Sequence, residues 1–535
     1  MSPSSGSPAS AAALPLGELI LWCAVPAIAF ATLYEYSAWR AAGTLGFPLD
    51  DAWIHAQFAR NIATGHGFSF TGDRWVAGST SPLWTLLLAA GYLVLRSVLI
   101  SAKLFGLALQ IVSGVLAARL VQLLTDSRDL AIAGALLAIV CPAMVWGAVS
   151  GMELGLASAL VLAGFVASLD ASRGTRGELT GIACFAAACL ARPETLVILG
   201  LAGIRLLLRA RGIAPMARRA AIAAAIVIAI LGPFVVLDYA TTGKPLPTTF
   251  YAKSGPGLMR AIGQRDPALA ERLFTVMGPE AVRQMWMTLR EQFGLAAFAV
   301  PIGFVASFAP RLRRRGAPLL FLVVLAAAYS MGLIAPQRLK PENFRYTAQL
   351  VVVLAAGSIA SLAAWPPLQR IRPARIALAA ALVAGAAWQA VQAASVYATS
   401  VRNIEQLQVA TGKWLRGSLP PAARVAVNDI GAIAFFSRHE VIDLEGLVSP
   451  EALAYPRPSR GIGFVEATHP DFIAIFPFWY LDISSRTDLF QEVHRISIQG
   501  NVASAGDTIV IYRTPWTREA PFAHPFPVKP RLWPE

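Results

Sequence analysis

Residues 50–61 read Asp50-Asp51-Ala52-Trp53-Ile54-His55-Ala56-Gln57-Phe58-Ala59-Arg60-Asn61, and residues 78–84 read Gly78-Ser79-Thr80-Ser81-Pro82-Leu83-Trp84. The acidic pair follows directly on the first apolar run, residues 14–39, where water would meet lipid. An acid kept at that depth usually has a chemical task, although the same place suits a helix N-cap. Pro48 precedes the pair, Ile54, Phe58 and Ile62 recur at a spacing of four, and Gly65 ends the pattern. That periodicity predicts a short amphipathic helix lying in the interface, with Asp50 and Asp51 in its cap or first turn. There the free amides and the helix dipole favour the ionised carboxylate, available as a base or a cation ligand.

Composition places that helix in a membrane protein. The 535 residues are 56% hydrophobic and 14% charged, with a mean hydropathy of +0.57, too apolar for a soluble globular chain. The formal charge of +14 does not point to nucleic acid. The basic residues sit in clusters at 205–219, 311–315 and 370–375, between apolar runs, as cytoplasmic loops against anionic lipid do. The four cysteines, Cys23, Cys141, Cys184 and Cys189, all lie in apolar runs and show neither a disulfide framework nor a zinc spacing.

The run at 14–39 reads as a retained signal anchor. Further runs of spanning length lie near 101–124, 130–146, 154–169, 220–239, 293–308, 319–335, 348–364 and 376–396. Two others are irregular: 83–100 is interrupted by Arg96, and 179–208 by Arg192-Pro193-Glu194. About ten to twelve transmembrane helices are expected. With the basic clusters inside, residues 241–292, 337–347 and everything after 399 face outward. Counting crossings between Asp51 and Glu153 gives an odd number unless one irregular segment fails to cross.

After residue 400 the pattern changes. Alternating runs at 424–429, 440–444, 472–476 and 508–513 read as strands of a small soluble α/β domain over the outer face, and a proline-rich end, 521–534, reads as extended. The expected organisation is a transmembrane catalytic domain at 1–399, with outer-face loops near 40–82 and 240–292, and an extracytoplasmic domain at 400–535. Within the first loop, residues 68–76 read as a hairpin turning at 71–73, and Ser81-Pro82 opens the next helix. Small residues at 78–81 allow a polar substrate to approach the backbone, or simply make a turn.

The runs Leu-Asp-Asp-Ala-Trp-Ile (49–54), Ala-Arg-Asn-Ile-Ala-Thr-Gly-His-Gly-Phe (59–68) and Ser-Thr-Ser-Pro-Leu-Trp (79–84) resemble the first outer loop of GT-C glycosyltransferases, closest to the mycobacterial terminal arabinofuranosyltransferase group. Later landmarks resemble the family in the same order: 150–153, 191–194, 246–253, Arg345-Tyr346, 428–434 and 441–447. Trp53, His55 and Ala77-Gly78 depart from its usual pattern and leave the sugar open.

The resemblance implies an inverting glycosyltransferase that moves a sugar, arabinofuranose among the candidates, from a polyprenyl-monophosphate donor to a cell-envelope glycan or lipid acceptor. It would work on the outer face of a bacterial inner membrane, with the active site and tail in the periplasm. Asp50 or Asp51 would be the base, Asp50 ranked slightly first. Lys253 and Arg345 lie in outward loops where a cation could meet the donor phosphate, or could snorkel at a helix end. Arg192 and Glu194 could contact substrate or pair with each other. Glu153 could orient substrate, share a divalent cation with the first acids, or cap a helix. His55, four residues after Asp51, would tune the acid, and Ser79 and Thr80 would line the substrate path. A transporter or flippase of lipid-linked sugars, and a non-catalytic envelope scaffold, are the competing classes. A transporter usually carries repeated halves, which this sequence does not show.

Overall fold

The computed structural model describes residues 14–72, 74–253, 257–334, 341–365, 371–455 and 460–517. The proline-rich end and Asp73 of the expected hairpin lie outside them. The chain enters through α1 (Leu16–Ala42), forms α2 (Asp50–Ala63) and α3 (Pro82–Leu95), and returns through α4 (Val98–Thr125). At 1.5 Å per residue, the 27 residues of α1 and 28 of α4 exceed the hydrocarbon thickness. The 14 residues of α3 do not. Arg96 ends α3 in the left-handed region with φ of 54°, and the chain passes straight into α4. In the irregular run at 83–100, α3 is thus one of the apolar helices too short to span the hydrocarbon.

α5 (Arg128–Val140) and α6 (Pro142–Val149) are one apolar run bent by 57°, because a proline removes a backbone donor and stops the helix. α7 (Leu154–Leu169) and α8 (Gly174–Cys189) bend against each other by 67°. α9 (Leu196–Leu208) begins after the Arg192-Pro193-Glu194 break, and α10 (Ile213–Thr242) has no buried residue. α10 thus presents itself to lipid, whereas Ala348–Ser361 is buried along its whole length at the centre of the bundle. Among the described residues, six helices are long and apolar enough to cross a membrane, and eight if each bent pair is one span. Beside these stand the shorter apolar helices α3 and 348–364, where ten to twelve spans were expected in all. The chain is a multi-pass membrane protein.

The basic clusters meet at one end. Arg311 bonds the Thr125 carbonyl at 3.0 Å, Arg315 reaches Asp126 at 2.5 Å, Arg372 reaches Asp129 at 2.7 Å, and Arg209 reaches Glu178 at 2.9 Å. At the other end Lys103 donates to Glu35 at 2.6 Å and to the carbonyls of Gly46 and Val149 at 3.0 and 3.1 Å. A buried cation so fully bonded ties α1, α4 and α6 together instead of destabilising them.

The helix Arg372–Ile404 runs on through residues 405–418 into the tail, so the boundary expected at 399/400 falls inside a continuous rod. The tail sheet has the order β2-β1-β3-β5-β4, with β1 (Arg424–Val427), β2 (Glu440–Asp443), β3 (Phe472–Ile475), β4 (Gln491–Ser497) and β5 (Thr508–Arg513). β1 is parallel to β2 and β3, and β5 runs antiparallel between β3 and β4. Four of the five strands coincide with alternating or apolar runs. β4, at one edge, has no buried residue, whereas β2 at the other edge buries three of its four.

Candidate active site

α2 begins where the periodicity places it, but it is no surface helix. Ten of its fourteen residues are buried, because α3 covers one side and the tail helix Gly431–Ser437 the other. Trp53 wedges between Phe47, Phe435 and Phe436 at ring separations of 4.7, 5.0 and 4.8 Å, and Phe58 stacks on Phe70 of the hairpin. The hairpin itself forms: Ser69 and Trp75 make an antiparallel bridge, and Val76 N donates to Phe68 O at 2.8 Å.

This packing separates the two acids. Asp50 is 5% exposed, and its two carboxylate oxygens accept from Gly431 N and Ala432 N, each at 2.7 Å. It caps a helix of the tail and not its own. It also hydrogen-bonds Asp429, which Gln408 Nε2 holds at 2.8 Å. Burial, then the nearby Asp429 charge, push the Asp50 carboxyl well above the usual range despite the two amides.

Asp51, its side chain 27% exposed, turns the other way and faces Arg345 Nη1 at 3.0 Å. Both line a cavity of about 260 Å³, with His55, Thr80, Arg192, Glu194 and Thr249. Beneath it Glu153 is fully buried. Arg192 Nη1 donates to Glu153 Oε1 at 2.7 Å, and His55 Nε2 lies 3.4 Å from Oε2. Burial alone would raise the Glu153 carboxyl, but the Arg192 and His55 charges more than offset it and hold it at about 2. Arg192 also donates to the Arg345 carbonyl, lies 3.6 Å from Glu194 and covers the Tyr346 ring at 4.7 Å. His55 Nδ1 meets Thr85 Oγ1 at 3.3 Å, and Thr85 meets Ser79 Oγ at 2.9 Å. One network thus runs from Ser79 through His55, Glu153 and Arg192 to the backbone of Arg345, whose guanidinium holds Asp51.

Six of the ten residues singled out from the sequence line this cavity: Asp51, His55, Thr80, Arg192, Glu194 and Arg345. Glu153 supports it from below, Ser79 turns into the protein, and Asp50 faces the tail. Lys253 ends the helix Thr248–Lys253, and its side chain lies outside the described residues. The tail contributes Leu447: Asp443 accepts from Glu445 N and Val448 N, both at 2.8 Å, folding the loop that carries it. Thr249 was legible only as part of a longer motif. Among the described residues no group of three or more His, Cys, Asp or Glu side chains gathers as a metal site. Arg192 pairs with Glu153 and Arg345 with Asp51, while backbone amides hold Asp50. The walls are apolar: Leu196 and Val197 of α9 face Met331 and Ile334 of the helix Ala317–Ile334.

This architecture has solved counterparts. ArnT from Cupriavidus metallidurans, bound to undecaprenyl phosphate, matches with a TM-score of 0.57 at 12% identity, over 93% of this chain and 98% of that one. The fold is the GT-C fold. The archaeal oligosaccharyltransferase AglB from Archaeoglobus fulgidus, in complex with an inhibitory peptide and a dolichol-phosphate, matches with a TM-score of 0.53 at 11% identity, over 93% of this chain and 76% of that one. A mycobacterial arabinofuranosyltransferase, AftD, is 16% identical over 94% of this chain and 42% of its own, with a TM-score of 0.47. Residues 399–516 match a family model described as a domain of unknown function, DUF8728. By sequence, no curated protein matches the chain.

Proposed function

We propose that the cavity is the transfer site of an inverting glycosyltransferase, which moves a sugar from a polyprenyl-monophosphate carrier to a cell-envelope glycan or lipid acceptor. The observation that carries this reading is the opposition of Asp51 and Arg345 at 3.0 Å in a cavity whose far wall is apolar. A lipid donor needs an apolar wall for its chain, a cation for its phosphate, and a carboxylate beside the reacting carbon. The solved neighbours with bound undecaprenyl and dolichol phosphate support the same carrier class here.

In this mechanism Asp51 accepts the proton of the acceptor hydroxyl as its oxygen attacks the anomeric carbon. The bond from that carbon to the phosphate oxygen breaks, and the electron pair leaves with the lipid phosphate. Arg345 and Arg192 take up the charge that develops there. Thr249 is 4% exposed; its Oγ1 has no hydrogen-bond partner among the described residues, and its side chain lines the cavity. Unpaired buried polar atoms are costly, and hydroxyls of the donor sugar would satisfy them. Asp51 thereby replaces Asp50 as the preferred base.

The test is to incubate the purified protein with a panel of polyprenyl-phosphate sugars, arabinofuranose included, and an acceptor glycan, measuring released lipid phosphate. Release with at least one donor is expected. Transport of a lipid-linked sugar across vesicles without release would make it a transporter, and neither activity would make it a scaffold. The proposed location is a bacterial inner membrane with site and tail outside. Cysteine at the exposed Ser485 should then label in intact cells, and cysteine at Arg313 only after permeabilisation.

A further inference from the structure

A second cavity, of about 300 Å³, lies where the hairpin meets the tail sheet. Its floor is apolar, made by Phe70, Val76, Ile442, Val448 and Phe464, all buried. Its rim carries two arginine–carboxylate pairs. Arg74 grips Glu451 through two hydrogen bonds of 2.5 and 3.0 Å, and Arg424 meets Glu440 at 3.0 Å. The Arg74 and Glu451 side chains are about half exposed, at 52% and 51%. Ion pairs so open to water contribute little to stability. What they offer is an array of donors beside acceptors around an apolar floor, the combination that engages hydroxyls and the C–H face of a sugar ring together. Opposite charges paired on the rim leave no net charge to select an ionic ligand.

The position of this cavity matters as much as its lining. Val76 and Val448 face it, while their near neighbours Gly78 and Leu447 face the Asp51 cavity. The partition between the two is therefore a single layer of chain. It is tightly closed at Gly78, where an added Cβ would lie 2.6 Å from Val448 Cγ1 and 3.0 Å from the Leu447 carbonyl oxygen. The two cavities adjoin, and the apolar wall that suits a lipid chain belongs to the first alone.

We propose that the second cavity is a subsite for neutral oligosaccharide, holding sugar units of the acceptor on the tail side of the partition that separates it from the Asp51 cavity. The identification of the ligand as acceptor rests on the glycosyl-transfer reading above.

The experiment is saturation-transfer NMR on the detergent-solubilised full chain, with short neutral oligosaccharides of a pentofuranose and a hexopyranose series, beside binding of polyprenyl monophosphate. Wild-type protein should bind at least one series. Arg74→Ala, Glu451→Gln and Arg424→Ala should each weaken that binding about tenfold or more, with the thermal midpoint and polyprenyl-phosphate affinity unchanged. Oligosaccharide binding indifferent to all three substitutions would overturn the subsite. So would a protein that binds polyprenyl phosphate and none of the oligosaccharides. Rim-dependent oligosaccharide binding in a protein that releases no lipid phosphate from any donor would uphold the subsite and overturn the transfer reading instead.

Discussion

Asp50 and Asp51 are neighbours in sequence and occupy opposite environments. Successive residues of a helix point about 100° apart. At the start of α2 that angle sends one carboxylate into the tail and the other into the cavity. Asp50 meets two backbone amides and a second carboxyl; Asp51 meets an arginine at the edge of open space. The first arrangement is fully bonded and shut off from substrate, and the second is accessible. A carboxylate pair in a sequence therefore need not be a catalytic pair. Here one acid fastens the helix that presents the other.

The sharpest way to break this contrast is to exchange each acid for its amide. Asp51→Asn should lower turnover roughly 100-fold or more, since a proton acceptor is lost, and leave the thermal midpoint unchanged. Asp50→Asn should instead lower stability, because an amide offers its single oxygen to two N–H donors, with a smaller fall in turnover. Steady-state kinetics beside thermal unfolding decides it, and a larger loss of turnover in Asp50→Asn would reverse the assignment.

Next in size is the cation. Arg345→Ala should weaken polyprenyl-phosphate binding about 10- to 100-fold, the loss of a charge-assisted contact. Equilibrium binding of the carrier measures it, and unchanged affinity would leave Arg345 as a partner of Asp51 alone.

On the tail side, a Cβ at Gly431 would sit 2.1 Å from the Asp50 carbonyl oxygen. Gly431→Ala should therefore force the tail helix off α2 and cost about 1–3 kcal/mol, as overpacking does. Unfolding in denaturant reads the loss, and a variant as stable as wild type would show that the junction is loose.

The smallest effect is a pH dependence. Burial and the Asp429 charge raise the Asp50 carboxyl above its unfolded value, so the stability this group contributes is full below the ordinary carboxylate pKa. That contribution is lost as pH rises through the raised folded value. Asp429→Asn supplies an amide donor with no proton to lose. The variant's thermal midpoint should stay flatter toward alkaline pH, by about 1–2 °C, and parallel curves for the two proteins would place the proton elsewhere.

Much of this was legible because it depends on neighbours in sequence. Spacing of four from Ile54 to Ile62 gave α2, Arg96 and Arg192-Pro193-Glu194 marked breaks, and alternation marked four of the five strands. β4 escaped because Gln491–Ser497 buries no residue and has no apolar face to read, unlike β2 at the opposite edge of the sheet. The spans were legible from apolar composition as well: six long apolar helices, or eight with the bent pairs, lie among the described residues, beside shorter apolar helices such as α3.

The local sequence by itself determined a membrane bundle, a soluble tail, and an acid pair at the interface, since hydrophobicity and helix periodicity are properties of short windows. Only the tertiary structure decided which acid faces the cavity. The Asp50 contact with Gly431 spans 381 positions, the pairing of Asp51 with Arg345 joins the start of α2 to the distant helical turn Pro341–Tyr346, and the Arg192–Glu153 bridge ties the break before α9 to the start of α7. Such contacts form because burying a charge requires a partner, and which partner arrives is set by how the helices pack.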